Sequence, residues 1–246
     1  MYKAAMLGAS LALGLSVGVA SASPKSSWAA LDALPNFTEG VWGTTGPGGP
    51  QAIGAGARGL PPLKPGIAPG GAGRSDPADA AAAGESCTPL GLPTVMLRPY
   101  PFEFLYSPGR ITLLLELDGQ VRRIFTDGRR HPEDPDPTYG GHSIGHWEGG
   151  TLVVDTVGIL PEVQVSPGVP IGDGAHIVER MHLTAPDVLT IDTTIEAPAV
   201  LARPWSYSMS YPRHRDWSVM EYFCAQNPRT TTDDSGRTIL DLSPPK

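Results

Sequence analysis

The stretch from Ile111 to Thr156, ITLLLELDGQVRRIFTDGRRHPEDPDPTYGGHSIGHWEGGTLVVDT, decides the fold. It predicts two β-hairpins joined by a charged loop. In the first, Asp118-Gly119 supplies the positive φ angles of a type I′ turn, and in the second Gly149-Gly150 takes the same role. Between them RRHPEDPDPTY carries Pro132, Pro135 and Pro137, which forbid both a helix and a central strand. A two-residue turn sets Glu148 opposite Thr151, His146 opposite Val153, Ile144 opposite Asp155 and His142 opposite Val157.

Side chains on a strand alternate with period two. His142, His146, Glu148 and Asp155 therefore share one face of the second hairpin, and Trp147, Leu152 and Val154 share the other. The apolar face packs. If the polar face points to solvent, this is an ordinary amphipathic hairpin; if it points into a barrel, it is a proton-transfer or metal site. The first hairpin sorts similarly, with Ile111, Leu113, Leu115 and Ile124 on one face. Glu116, Arg123 and Asp127 lie on the other, with Leu114, Val121 and Phe125. A Glu–Arg pair among apolar neighbours reads first as a structural strut.

Short strands continue to the C-terminal side. His176 to Thr184 alternates, Pro186-Asp187 opens a turn, and Val188 to Glu196 follows. In WSYSMSY, Trp205, Tyr207, Met209 and Tyr211 share one face. Asp216 to Cys224 reads as a last strand, and Leu160 to Gly174 as a long connection. No helical period is found after Leu34. The expected fold is all-β, an antiparallel meander closing into a lipocalin-like barrel or half-barrel. A short helix over Ser26 to Leu34 stops at Pro35, and the Gly-x-Trp of Gly40 to Trp42 resembles the opening of lipocalin-type barrels, where the Trp plugs the base.

Met1 to Ala22 has a secretory-signal pattern, with Lys3 in a short positive region, an apolar core from Met6 to Ala20, and Ala20-Ser21-Ala22 at the cut, expected after Ala22. The apolar core is shorter than a membrane span requires. An exported, unanchored, periplasmic protein is expected. Residues 23–43 then form the N-terminal helix and first strand. Residues 44–86, rich in Gly, Pro and Ala, read as a mobile insertion with too few packing side chains to offset the entropy of ordering. Residues 87–246 form the main body. In an oxidising compartment, the two cysteines, Cys87 and Cys224, are expected to be disulfide-bonded.

The 246 residues include 18 Lys and Arg against 25 Asp and Glu, for a net charge of −7 and a pI near 5.3. No basic patch with interleaved aromatics occurs, so nucleic acid is not an expected partner. No phosphate loop or dinucleotide fingerprint occurs either. Gly141-His-Ser143-Ile-Gly145 lies in a predicted hairpin and lacks the strand-to-helix context of a nucleophile elbow. His142 and His146 sit four apart on a strand, about 13 Å between Cα atoms at about 3.3 Å per residue, too far for one metal ion unless a bulge intervenes or His131 or His182 contributes. Neither metal nor other cofactor is expected.

Acid–base chemistry remains. A histidine beside a carboxylate is poised near neutral pH. His142 and His146 are the candidate acid and base, with Glu148 and Asp155 orienting or assisting. Arg129 and Tyr139 are candidate anion- or phenol-contacting groups, and Trp205, Tyr207 and Tyr211 would line an apolar cavity. Two functions fit: a cofactor-independent lyase or isomerase on a small aromatic or largely apolar molecule, or a lipocalin-like protein binding such a ligand without catalysis. Oligomeric state is not legible.

RRIFTDGRRH (Arg122 to His131) and YGGHSIGHWEGGTLVVDT (Tyr139 to Thr156) resemble blocks of a large family of exported bacterial proteins, most of whose members carry no assigned activity. Cys87-Thr-Pro-Leu-Gly, Val178-Glu179-Arg180 and Glu221-Tyr-Phe-Cys224 resemble further blocks, in order, so the resemblance spans Cys87 to Asn227. Gly150 stands where the family commonly has Asp. The resemblance implies export and a single β domain, and implies no reaction.

Overall fold

The computed structural model describes residues 27–43, 59–68 and 88–222, and the backbone of 230–232 and 238–240. The expected export signal, Cys87 and Cys224 lie outside the described residues, as does most of 44–86. The helix is one turn, α1 (Trp28–Leu31). The strands that follow are β1 (Val41–Trp42), β2 (Phe102–Ser107), β3 (Arg110–Leu115), β4 (Gln120–Phe125), β5 (His142–Glu148) and β6 (Thr151–Val157). A small hairpin, β7 (Gln164–Ser166) and β8 (Val169–Pro170), interrupts the long connection, and β9 (His176–Ala185), β10 (Val188–Glu196) and β11 (Trp205–His214) complete the body. β12 (Thr230–Thr232) and β13 (Thr238–Leu240) pair with each other.

Among the described residues, nine strands close into a barrel in the order β1-β11-β10-β9-β6-β5-β4-β3-β2. The expected all-β barrel is present, but it is not wholly an antiparallel meander. β4 and β5 run parallel, paired only at Ile124↔Ser143 and Phe125↔Ile144. The proline-containing loop between them carries the chain back to the starting edge, so β5 runs in the same direction as β4. Parallel neighbours need such a crossover, whereas a tight turn produces antiparallel ones.

The β5–β6 hairpin has the expected register at every pair from His142↔Val157 to Glu148↔Thr151, with Gly149 at φ 58° in the turn. The β3–β4 hairpin differs. Asp118 and Gly119 do take positive φ, 61° and 56°, but the first pair is Leu115↔Gln120, two residues out from a two-residue turn. A shift of two preserves parity, so Ile111, Leu113, Leu115 and Ile124 still face inward together, all buried.

The interior is packed solid near β1. Trp42 and Phe37 are fully buried, and the Trp42 indole donates to the Phe37 carbonyl at 2.7 Å. Phe102 packs edge-on against both Phe104 and Tyr211. Arg213 covers the Trp42 ring, 4.3 Å from its centroid, closing that end. Trp205, Tyr207, Met209 and Tyr211 belong to this core.

Two further expectations are corrected. Asp216 to Tyr222, the described part of the expected last strand, forms no strand; Trp217 instead stacks on His214 and the Met220 amide donates to buried Glu116. Residues 59–68, inside the stretch read as an insertion, are docked on the body. Leu63 bridges Leu201, and Leu63 and Ile67 pack on the core. The Lys64 amide donates to the Val200 carbonyl and the Ala202 amide to that of Pro62. Lys64 Nζ adds a contact to the Pro198 carbonyl at 2.6 Å.

Candidate functional site

The polar face of the second hairpin points out of the barrel. Ser143, Leu152, Val154 and Thr156 are the inward residues of β5 and β6, and His142, His146, Glu148 and Asp155 alternate with them. The four candidates then divide. His146 and Glu148 are exposed, with side-chain exposures of 66 % and 49 %, and pair with each other at 3.1 Å. Arg180 binds Glu148 at 2.9 Å and is the main reason its carboxyl sits below the usual range, with His146 second. This is a surface pair, and His146 also borders a small pocket of about 160 Å³ with Leu31, Leu34, Ile111 and Trp147.

His142 and Asp155 are different, because the 126–132 loop folds over them. His131 from that loop reaches both: its Nδ1 is 2.8 Å from Nδ1 of His142, and its Nε2 is 2.9 Å from Oδ1 of Asp155. The other carboxylate oxygen of Asp155 receives His176 Nε2 at 2.9 Å, and His176 Nδ1 stands 3.7 Å from Glu196. A row of imidazoles and carboxylates thus crosses β5, β6, β9 and β10. Among the described residues, no cluster has the geometry to hold a metal ion.

Asp155, bonded by an imidazole at each oxygen, orders the protons along the row. A carboxylate only accepts, so His131 donates to it from Nε2. With its proton on Nε2, His131 offers a lone pair at Nδ1, which receives the Nδ1 proton of His142. That leaves Nε2 of His142 as a bare lone pair, the arrangement in which a carboxylate orients a catalytic imidazole. Burial holds the His142 pKa below its ordinary value, and the Arg129 guanidinium acts in the same direction, so the ring is a neutral base at pH 7.

The His142 ring stacks on Phe125 at 5.3 Å and 25°. Arg129 lies 4.0 Å over the same Phe125 ring and is clamped by Asp127 at 2.6 to 3.0 Å. Arg129, His131 and His142 line an open cleft with Asp127.

A crevice of about 450 Å³ opens where β4 and β5 diverge. Leu92, Val95, Leu115, Val121 and Phe125 form its apolar walls; Tyr139, His142, Ser143, Arg122 and Arg123 supply its polar groups. It is lined from both sides of the barrel wall, since Arg122, Ser143 and Leu115 face inward while Phe125 and His142 face outward. The glycines beside it permit this. A Cβ on Gly141, at φ 65°, would stand 2.7 Å from the Val157 carbonyl, and one on Gly145 would stand 2.8 Å from Ile124.

At the inner end lies a group that reading by residue type overlooked. Arg122 is 4 % exposed and Glu179 is 2 % exposed, and Arg122 Nη2 is salt-bridged to Glu179. Nη2 also donates to Thr156 at 3.1 Å and Nε to Ser143 at 3.4 Å, while the two hydroxyls bond each other at 2.8 Å. Arg122 has the parity of Ile124, and Glu179 that of Ile177 and Met181, so period two alone places both charges inside. The expected Glu116–Arg123 strut does not form, because Glu116 lies in the turn, buried, and accepts from Met220. Tyr139 lines the crevice as a candidate contact. Trp205, Tyr207 and Tyr211 do not line it; they fill the core, with Tyr211 donating to the Met96 carbonyl at 2.7 Å. His131 was missed because it sits in a loop without period, and His176 because it opens a strand distant in sequence.

Comparison with protein-family models gives no match for this chain, and comparison with curated proteins gives none either.

Proposed function

We propose that the protein is an exported, cofactor-independent acid–base enzyme of lyase or isomerase type, acting on a small aromatic or largely apolar molecule in the β4/β5 crevice. The observation that carries this reading is the Asp155–His131–His142 row, which ends on an imidazole lining that crevice. His142 Nε2 takes a proton from a substrate carbon. The imidazolium so formed keeps its Nδ1–H directed at His131, which stays anchored on Asp155, so charge forms in a site already arranged for it. The electron pair left on carbon either shifts to a neighbouring double bond, with the proton returned elsewhere, or expels a leaving group. The apolar walls hold the remainder of the molecule.

Deuterium exchange tests this whatever the product. The protein is incubated in D2O with a panel of small aromatic ketones, aldehydes and acids, and carbon-bound deuterium is read by mass spectrometry. At least one compound should exchange, and His142→Gln should slow that exchange by about a hundredfold or more, the usual scale of a general base. A compound that binds the crevice but shows no His142-dependent exchange would favour the alternative, a small-molecule binding protein.

A further inference from the structure

Arg122 carries a donor that no described residue engages. Its Nη2 and Nε are engaged by Glu179, Thr156 and Ser143, while Nη1 is buried without an acceptor among the described residues. A buried, unmatched N–H on a charged group is costly, and most such groups find a partner. Arg122 also lines the crevice.

The charge around it is one-sided. Arg122 and Arg123 line the crevice, and among the described residues no Asp or Glu does, in a chain where acidic side chains outnumber basic ones by 25 to 18. Glu179 is engaged on the Nη2 side. The remaining lining is chiefly apolar, with Leu92, Val95, Leu115 and Phe125.

We propose that the crevice takes a molecule with an anionic oxygen group, a carboxylate first, that displaces the side chains covering Nη1 of Arg122 and accepts from it while its apolar body packs on those walls. This rests on the reading of the crevice as the reacting site and names its substrate class. It also fits the chemistry. When His142 removes a proton from carbon beside a carbonyl or carboxylate, the C–H bond pair moves into a new C=C bond and charge accumulates on the oxygen. A fixed guanidinium donor at that oxygen stabilises the charge as it develops. Arginine presents planar donors matched to carboxylate oxygens.

The test is calorimetric titration of the full mature chain with phenylacetate and with phenylacetamide, which share size and apolar body but differ in charge. Phenylacetate should bind about tenfold tighter or more, the scale of a charge-assisted hydrogen bond. Because Arg122→Met alone strands a buried carboxylate, the variant used is Arg122→Met with Glu179→Gln, its fold checked by circular dichroism; the preference should fall to near unity. Independently of any variant, the side-chain nitrogen resonances of Arg122 in the wild-type chain should shift on adding phenylacetate. Equal affinities, no binding of either compound, unmoved Arg122 resonances, or a preference surviving in the double variant would each overturn the proposal. His142→Gln separates the two readings, since it should slow deuterium exchange by about a hundredfold or more yet keep the phenylacetate preference. A preference without exchange in any compound leaves the anion subsite standing and removes the enzyme; exchange on neutral compounds with no preference does the reverse.

Discussion

Nδ1 of His131 and Nδ1 of His142 stand 2.8 Å apart, so one ring places its proton between them and the other accepts it. Asp155, at 2.9 Å from the far nitrogen of His131, decides which. The two histidines lie eleven residues apart in sequence, one in a proline-containing loop and one on β5, and the barrel's single described parallel seam brings them together.

Asp155→Asn should uncouple this row. An amide can donate as well as accept, so His131 is no longer forced to present a lone pair to His142. Exchange activity should fall by about a hundredfold. Thermal unfolding should shift little, because the Asp155 side chain is 38 % exposed and exposed pairs contribute about 0 to 1 kcal/mol. A melt that collapses along with the activity would make Asp155 a structural residue.

His146→Gln should leave exchange unchanged. Its ring is exposed and its partner is Glu148, which Arg180 continues to hold. A large loss of activity would return the site to the solvent side of the hairpin and put His146 back beside His142 in function.

The Arg122–Glu179 pair should behave as a unit. Removing only the guanidinium, in Arg122→Met, leaves a buried carboxylate unpaired and should cost about 3 to 5 kcal/mol in urea unfolding. Arg122→Met with Glu179→Gln should recover a substantial part of that loss. Additive losses from the two substitutions would show that the residues are not coupled.

Acid should weaken the fold in two separate windows. His142 has a lowered pKa in the folded state and about 6.5 when unfolded, so the unfolded chain binds its proton first and stability drops as pH falls below about 6.5. Asp127 and Glu148, held below their ordinary values chiefly by Arg129 and Arg180, lose stability only below about pH 4.5, where the unfolded carboxyls protonate. Urea unfolding between pH 5 and 8 should therefore show a slope that His142→Gln reduces. A wild-type stability that rises toward pH 5 would contradict the lowered His142 pKa.

How much of this was legible follows from local rules. The Gly149-Gly150 turn and strict alternation carried β5 and β6 to their full register, and parity survived the longer β3–β4 turn. Direction was not legible: nothing in RRHPEDPDPTY says on which side of β4 the chain returns, and that return creates both the parallel seam and the crevice. Alternation also separated the two faces of the hairpin without saying which faced inward. The apolar set of Leu152 and Val154 settles it, because a barrel interior takes the apolar row. Trp205, Tyr207 and Tyr211 did share a face, but that face packs into the core. Arg122 and Glu179 were legible in principle, as charges in apolar rows, and were masked by Arg123 and Glu116, which offer the same pair of charges on the opposite parity.

The most direct test of the central claim is the tautomer of His142, read from the long-range proton–nitrogen correlations of its imidazole at about pH 7.5. The account predicts a proton on Nδ1 of His142, a bare Nε2 and a midpoint below the ordinary histidine value, with His131 protonated on Nε2. A His142 protonated on Nε2, or titrating at or above about 6.5, would contradict it.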